Sequence, residues 1–120
     1  MHIDVRTDRA MCERTGSRRP WMQLLSAVLD LAGGEAELLR HSERPWASAT
    51  FSGSRHTIAL AFSGQAGLGA ADHYTEVLAE HEFTLSRQIV ADAAVTAFEQ
   101  SMLPQPRAVV EAEFLILDDL

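Results

Sequence analysis

Three side chains with metal-binding chemistry recur along one predicted helix. Glu76 and Glu80 follow His73 at offsets of three and seven residues, so a helix places all three on one face. Imidazole nitrogens and carboxylate oxygens are ligands for zinc and related ions. The spacing therefore indicates a candidate metal site, and an acidic, solvated helix face is the alternative explanation for the same residues.

A glycine-rich stretch between a predicted strand and a predicted helix is a second candidate. Backbone N–H groups at a helix start bind anions, and Gly64, Gly67 and Gly69 occupy that position. Their spacing reverses the order of the dinucleotide fingerprint, and no Gly-Lys-Ser/Thr sequence follows. The stretch is a candidate ligand-binding loop, with a simple turn that requires glycine as the alternative.

A basic neighbourhood in the predicted sheet is the third candidate. Such a cluster favours an anionic ligand or an acidic partner, and Trp and Arg are frequent interface anchors. The alternatives are cross-strand pairing with glutamates such as Glu43, Glu111 and Glu113, and a tryptophan that only fills the core. The candidate residues are Arg40, Arg44, Trp46, Arg55 and His56.

The composition excludes several chemistries. The ten cationic residues are all arginine, so no lysine Schiff base and no phosphate-binding lysine is available. No G-x-S-x-G sequence marks a nucleophilic serine, and the single cysteine, Cys12, allows neither an intramolecular disulfide nor a Cys-rich zinc site. We expect no cofactor, and the chain has the character of a non-enzymatic protein.

Charge divides the chain into two parts. Residues 1–19 hold five arginines and three acids and are predicted to form a flexible basic arm, whereas residues 20–120 form one acidic domain with five arginines and fourteen acids. An acidic domain repels nucleic acid. The apolar run of residues 21–32 is short and contains Asp30, so neither a membrane span nor a signal peptide is expected. We expect a cytoplasmic protein.

The elements that position these residues follow from hydrophobic periodicity. A helical stripe begins at Pro20 and ends before Gly33-Gly34, and a second helix covers residues 70–80. Residues 86–102 fit either a helix or a strand, and the strand is favoured because the final strand needs an antiparallel neighbour. A tight turn is predicted at residues 52–54. The predicted strands are residues 35–41, 46–51, 56–63, 86–102 and 107–117.

The predicted fold is an α+β two-layer sandwich with the order helix, three-strand antiparallel meander, helix, two-strand hairpin. The small Thr and Ala side chains on one face of residues 56–63 suit either solvent or close packing against a second subunit. This order and the acidic charge are similar to those of small dimeric secretion chaperones, whose closing helix is missing here.

The predicted function is a protein-interaction module, adaptor-like or chaperone-like, that pairs with a protein partner and with itself as a homodimer. The alternative is a small ligand- or metal-binding protein or enzyme. That protein would use the Gly64–Gly69 loop and the face formed by His73, Glu76 and Glu80.

Overall fold

The computed structural model of the chain describes residues 15–34 and 36–118, and it confirms the α+β class and the order helix, strands, helix, hairpin. Residues 1–14 of the predicted arm, including Cys12, lie outside this part. No described helix has the length and apolarity needed to cross a bilayer. The elements are α1 (Thr15–Leu31), β1 (Ala36–Ala47), β2 (Ser52–Ser63), α2 (Gly64–Val77), a 3-10 turn (Leu78–Glu80), β3 (Gln88–Ser101) and β4 (Arg107–Asp118).

The four strands form one antiparallel sheet in the order β1-β2-β4-β3. The predicted three-strand meander is therefore wrong in its strand number, because its first two strands are the single strand β1. Pro45 continues that strand instead of ending it. A proline lacks the N–H that a ladder needs, and an edge strand such as β1 tolerates it because one side of the strand has no neighbour.

The turn between β1 and β2 also differs from the prediction. The chain reverses at residues 48–51, where the Ser48 N–H donates to the Phe51 carbonyl (2.8 Å) and the Phe51 N–H donates to Ser48 Oγ (3.1 Å). Gly53, assigned to a tight turn from the sequence, lies inside β2. A side chain at Gly53 would overlap the Ile116 carbonyl oxygen of β4, so close approach of two strands requires the glycine.

Both edge strands, β1 and β3, contain bulges that change which of their side chains lie on the same face of the sheet. In β1 the register slips between Leu38 and Arg40, so Leu39 is the extra residue and Arg40 lies on the opposite face from Leu38. In β3 the register slips twice, around Ala91 and around Thr96. The strand prediction for residues 86–102 is confirmed, and these two bulges explain why its alternation was imperfect.

Both helices pack on one face of the sheet. Leu24 and Val28 of α1 and Tyr74 of α2 are fully buried there. They meet the alternate residues of the two central strands, which point to the same side, and the opposite face of the sheet receives no helix from the described residues. The residues of β2 and β4 in this core are Ile58, Leu60, Phe62, Ala108, Val110, Ala112, Phe114 and Ile116.

The first residue of each helix differs from the sequence prediction. α1 begins at Thr15 and not at Pro20, so Pro20 lies within the helix. Its predicted end is confirmed: Gly33 (φ 86°) and Gly34 (φ 76°) adopt the left-handed conformation, and the Gly34 N–H donates to the Leu29 carbonyl (3.3 Å). α2 begins at Gly64 and not at residue 70, because the glycine-rich stretch is itself helical.

Candidate functional site

The sheet brings four of the predicted ligand-binding residues to one surface. Arg40, Arg44 and Trp46 of β1 and Arg55 of β2 all point away from the helices, because their register partners alternate with the buried core positions. We name this surface the open sheet face. Its members are Glu37, Arg40, Ser42, Arg44 and Trp46 of β1; Gly53, Arg55, Thr57, Ala59, Ala61 and Ser63 of β2; Ile89, Asp92, Ala94, Ala97, Glu99 and Ser101 of β3; and Arg107, Val109, Glu111, Glu113, Leu115 and Leu117 of β4.

One end of the open sheet face is apolar. Trp46, Gly53, Leu117 and Ile89 are aligned in one row across all four strands. Ile89 is 56% exposed, and Gly53 adds no side chain between Trp46 and Leu117, because the β4 backbone approaches it closely. Trp46 is therefore partly exposed at the sheet edge. The alternative interpretation of the sequence, in which Trp46 only fills the core, is wrong.

The next rows carry charge, and the two signs are separated. Arg44 lies directly opposite Arg55, in a row that ends with Asp92 on the other edge strand. Arg55 Nη1 forms a salt bridge with Glu113 Oε1 (3.4 Å), and Arg40 Nη2 forms one with Glu111 Oε2 (3.1 Å).

These bridges are the cross-strand pairs that the sequence offered as an alternative to ligand binding. In both bridges the arginine belongs to β1 or β2 and the carboxylate to β4. Arg44 of β1 and Asp92 of β3 form no salt bridge with another described residue.

His56 is separated from the other predicted ligand-binding residues, because it lies on the helix side of the sheet. It is only 2% exposed. Its Nδ1 is 2.8 Å from His41 Nε2, and its Nε2 is 2.9 Å from Ser54 Oγ and 3.9 Å from Glu43 Oε2. Two imidazoles, a hydroxyl and a carboxylate therefore form one polar cluster at the edge of the core.

The two imidazole rings of this cluster lie side by side in nearly one plane. Their centroids are 5.1 Å apart with 20° between planes, which matches an in-plane hydrogen bond between ring nitrogens. Trp21 of α1 stacks on the His41 ring at 3.5 Å and 10°. The indole therefore covers His41 and fixes α1 over the cluster.

Burial determines what His56 does chemically. Loss of solvation, followed by the nearby His41, lowers the pKa of His56 from 6.5 to about 3. The order Ser54, His56, His41 has the hydrogen-bond connectivity of a nucleophile, a base and an orienting group. A base with this pKa accepts a proton poorly near neutral pH, so the arrangement does not favour serine activation.

The glycine-rich stretch is the start of α2, not a loop. The Gly64 N–H donates to the Pro106 carbonyl (2.9 Å), so this helix start already has a backbone partner. Gly67 is buried, and an added Cβ there would lie 3.0 Å from the Phe62 backbone. Gly69 has open space around it. Position 67 therefore requires glycine for a steric reason: α2 and the end of β2 approach each other so closely there that a larger residue would crowd the Phe62 backbone.

The predicted metal residues on α2 remain on the solvent side. His73, Glu76 and Glu80 are exposed, and Glu80 belongs to the 3-10 turn that follows the helix. Within residues 15–34 and 36–118, the one set of three potential ligand side chains with donor atoms all within 4.8 Å is His41, Glu43 and His56. The sequence signal for this set was the His-x-Glu spacing on one strand beside a histidine on the next.

Comparison with known proteins finds likeness at the level of structure. A chain from the structure of the virion of a native gene transfer agent (GTA) particle matches with a TM-score of 0.55 and 14% sequence identity, over 84% of this chain and 92% of that chain. This match shows a shared fold.

The type 4 fimbrial biogenesis protein PilO from Pseudomonas aeruginosa aligns with 98% of this chain and 88% of its own, at a TM-score of 0.40 and 12% identity. No protein-family model matches the sequence, and no curated protein matches it.

Proposed function

We propose that this chain is a protein-interaction module that pairs with a second copy of itself through the open sheet face. The proposal rests on the arrangement of this face, because its apolar row and the opposite charges of Arg44 and Asp92 make the face complementary to itself. The sequence predicts a homodimer, and we assign its contact to the open sheet face.

The open sheet face is large enough for a modest dimer contact. Eleven register positions of β2 pair with β4, and four strands lie side by side. At about 3.3 Å per residue and about 4.8 Å per strand, this surface measures roughly 700 Å². Standard interfaces bury about 800 Å² per partner, so the whole face corresponds to a weak to moderate dimer.

A twofold axis parallel to the strands gives the complementarity. Such an axis places β1 of one copy over β3 of the other, because the sheet order is β1-β2-β4-β3. Trp46 then faces Ile89 of the second copy, and Gly53 faces Leu117. In the next row Arg44 faces Asp92. Apolar area and charge therefore match in two successive rows.

The same axis also predicts where the contact is weakest. At the far end of the face, Glu37 pairs with Ala61 and Glu99 pairs with Val109, so the axis brings two carboxylates together. We therefore expect the dimer contact to centre on the rows of Trp46 and Arg44.

The comparison supports a role in a multi-chain setting. The fold match with a TM-score of 0.55 is a chain of a virion particle, in which many chains assemble. Among the described residues, both helices cover one face of the sheet and no helix covers the other, an arrangement that suits contact with another protein.

A charge exchange tests the proposal. Arg44→Asp alone sets two carboxylates against each other at both ends of the twofold contact, and Asp92→Arg alone does the same with two cations. We expect each single variant to weaken the dimer at least about tenfold in sedimentation equilibrium, because like charges in an interface are strongly unfavourable. The double variant restores the opposite-charge pair and is expected to return to within about threefold of the wild type.

Glu82→Arg is the matched control for Asp92→Arg, because it changes the net charge by the same amount at an exposed position away from the open sheet face. It is expected to leave the dimer unchanged. A protein that stays monomeric at about 1 mM contradicts the proposal, and so does a dimer that is indifferent to both single exchanges.

A further inference from the structure

The polar cluster on the helix side of the sheet has the donor set of a metal site. His41 and Glu43 are two residues apart on β1, so both point to the same face, and His56 lies directly opposite Glu43 on β2. Donor atoms of all three lie within 4.8 Å of one another. Three side chains from two paired strands thus converge on one point.

The donor spacings bracket those of a coordinated ion. Zinc binds nitrogen and oxygen at about 2.0–2.2 Å, which places neighbouring tetrahedral donors about 3.3 Å apart. His41 Nε2 and His56 Nδ1 are 2.8 Å apart, and a carboxylate oxygen of Glu43 lies within 4.8 Å of a ring nitrogen of each histidine. A small separation of the two imidazoles and an approach of the Glu43 carboxylate by up to about 1.5 Å reach the required spacing. Glu43 is half exposed, so its side chain has room to make that movement.

The surroundings hold one ligand in position before any ion arrives. His56 is 2% exposed, and Ser54 Oγ lies 2.9 Å from its Nε2. When Nε2 carries the proton and donates to Ser54, Nδ1 presents a lone pair toward His41. A partner on the outer nitrogen of a metal-ligating histidine is the usual means of fixing its tautomer. Trp21 covers the neighbouring His41 ring from above.

We propose that His41, His56 and Glu43 form a binding site for a divalent transition-metal ion of the zinc class. The ligand atoms are His41 Nε2, His56 Nδ1 and one carboxylate oxygen of Glu43. Two imidazoles and one carboxylate suit zinc, and three protein ligands leave a fourth position for water or an exogenous ligand. The ion joins β1 to β2 beneath α1.

This site is independent of the proposed dimer contact. His41, Glu43 and His56 lie on the helix side of the sheet, whereas Arg44 and Trp46 lie on the open sheet face. A metal-binding defect and a dimerisation defect are therefore separable by their variants. The site also differs from the set on α2 that the sequence indicated, so the two metal hypotheses compete in one experiment.

Titration of the untagged full-length protein with Zn²⁺ at neutral pH, followed by calorimetry, tests the proposal. We expect one Zn²⁺ per chain with a micromolar or tighter Kd. His41→Ala and Glu43→Gln are each expected to weaken binding by about tenfold or more. Glu43→Gln preserves size at a half-exposed position, so its fold is expected to survive, and circular dichroism checks this.

Two controls separate this site from the other histidines. The double variant His73→Ala and His81→Ala, and the single variant His2→Ala, are expected to bind Zn²⁺ as the wild type does. Trp21 supplies a second signal, because it stacks on a ligand: in a Trp46→Phe background, its fluorescence is expected to change with the same 1:1 stoichiometry. Absence of Zn²⁺ binding overturns the proposal, and so does binding that His41→Ala and Glu43→Gln leave intact.

Discussion

Acidification is expected to unfold this protein earlier than its carboxylates alone require, because of one buried imidazole. Burial, and secondly His41, lower the pKa of His56 to about 3, whereas an unfolded chain titrates near 6.5. Between these two values the unfolded state binds a proton that the native state does not. The contribution of His56 to stability is therefore complete above about pH 6.5 and is lost as the pH falls toward 3.

The size of the effect follows from the two pKa values. With the native pKa at about 3 and the unfolded pKa at 6.5, the free energy of unfolding falls by about 2 kcal/mol between pH 7.5 and pH 5. Most unperturbed carboxylates titrate below pH 5, so this interval isolates the histidine contribution. His56 is 2% exposed, so solvent screening reduces this change in the free energy of unfolding little.

Urea unfolding at pH 7.5 and pH 5, in the presence of a metal chelator, measures this loss. The wild type is expected to lose about 2 kcal/mol, and His73→Gln, a substitution at an exposed histidine, is expected to lose the same amount. His56→Gln keeps a polar side chain beside Ser54 but cannot take up the proton, so its loss is expected to be much smaller. An equal loss in His56→Gln, or a His56 imidazole that titrates near pH 6.5 by NMR, contradicts a buried His56 that stays neutral in the native state.

Three further substitutions test the packing. Gly53→Ala is expected to destabilise the protein by about 2 kcal/mol or more in thermal unfolding, because its Cβ would overlap the Ile116 carbonyl oxygen. Gly69→Ala is expected to stabilise by about 0.5–1 kcal/mol, because that helical position has open space; a loss of stability there contradicts the helix.

Tyr74→Phe removes a buried hydroxyl without a hydrogen-bond partner in the described part of the chain and is expected to be neutral or stabilising. Because burial raises the pKa of Tyr74, the wild type is also expected to lose stability above about pH 10, and the phenylalanine variant is expected to lose less. A clear destabilisation by Tyr74→Phe contradicts the unpartnered hydroxyl.

The α+β class and the element order were predictable because the signals are local. The stripe that includes Leu24 and Val28 and the alternation of Ile58, Leu60 and Phe62 depend only on residues near in sequence. The continuation of β1 through Pro45 was not predictable, since it depends on β1 lying at a sheet edge, which is a property of the whole fold.

The sequence predicted the arginine cluster of the candidate site but not the pair of His41 and His56, because that pair also depends on how the strands pack. The cluster of Arg40, Arg44 and Arg55 came from proximity in sequence, and the sheet does place these residues on one face. Strict alternation along β1 would put Arg40 on the helix side and His41 outside. The bulge at Leu39 exchanges them and so creates the pair of His41 and His56. A bulge is set by packing against the neighbouring strand, and no single-residue signal marked it.

Pairing through the open sheet face can be followed by recording backbone amide signals in NMR spectra as the protein is diluted from about 1 mM to about 10 µM. We expect concentration-dependent shifts that cluster on open sheet face residues near Trp46, Arg44, Leu117 and Ile89, with the exposed residues of α2 unchanged. Spectra that are identical at all concentrations, or shifts confined to the helices, would contradict this pairing.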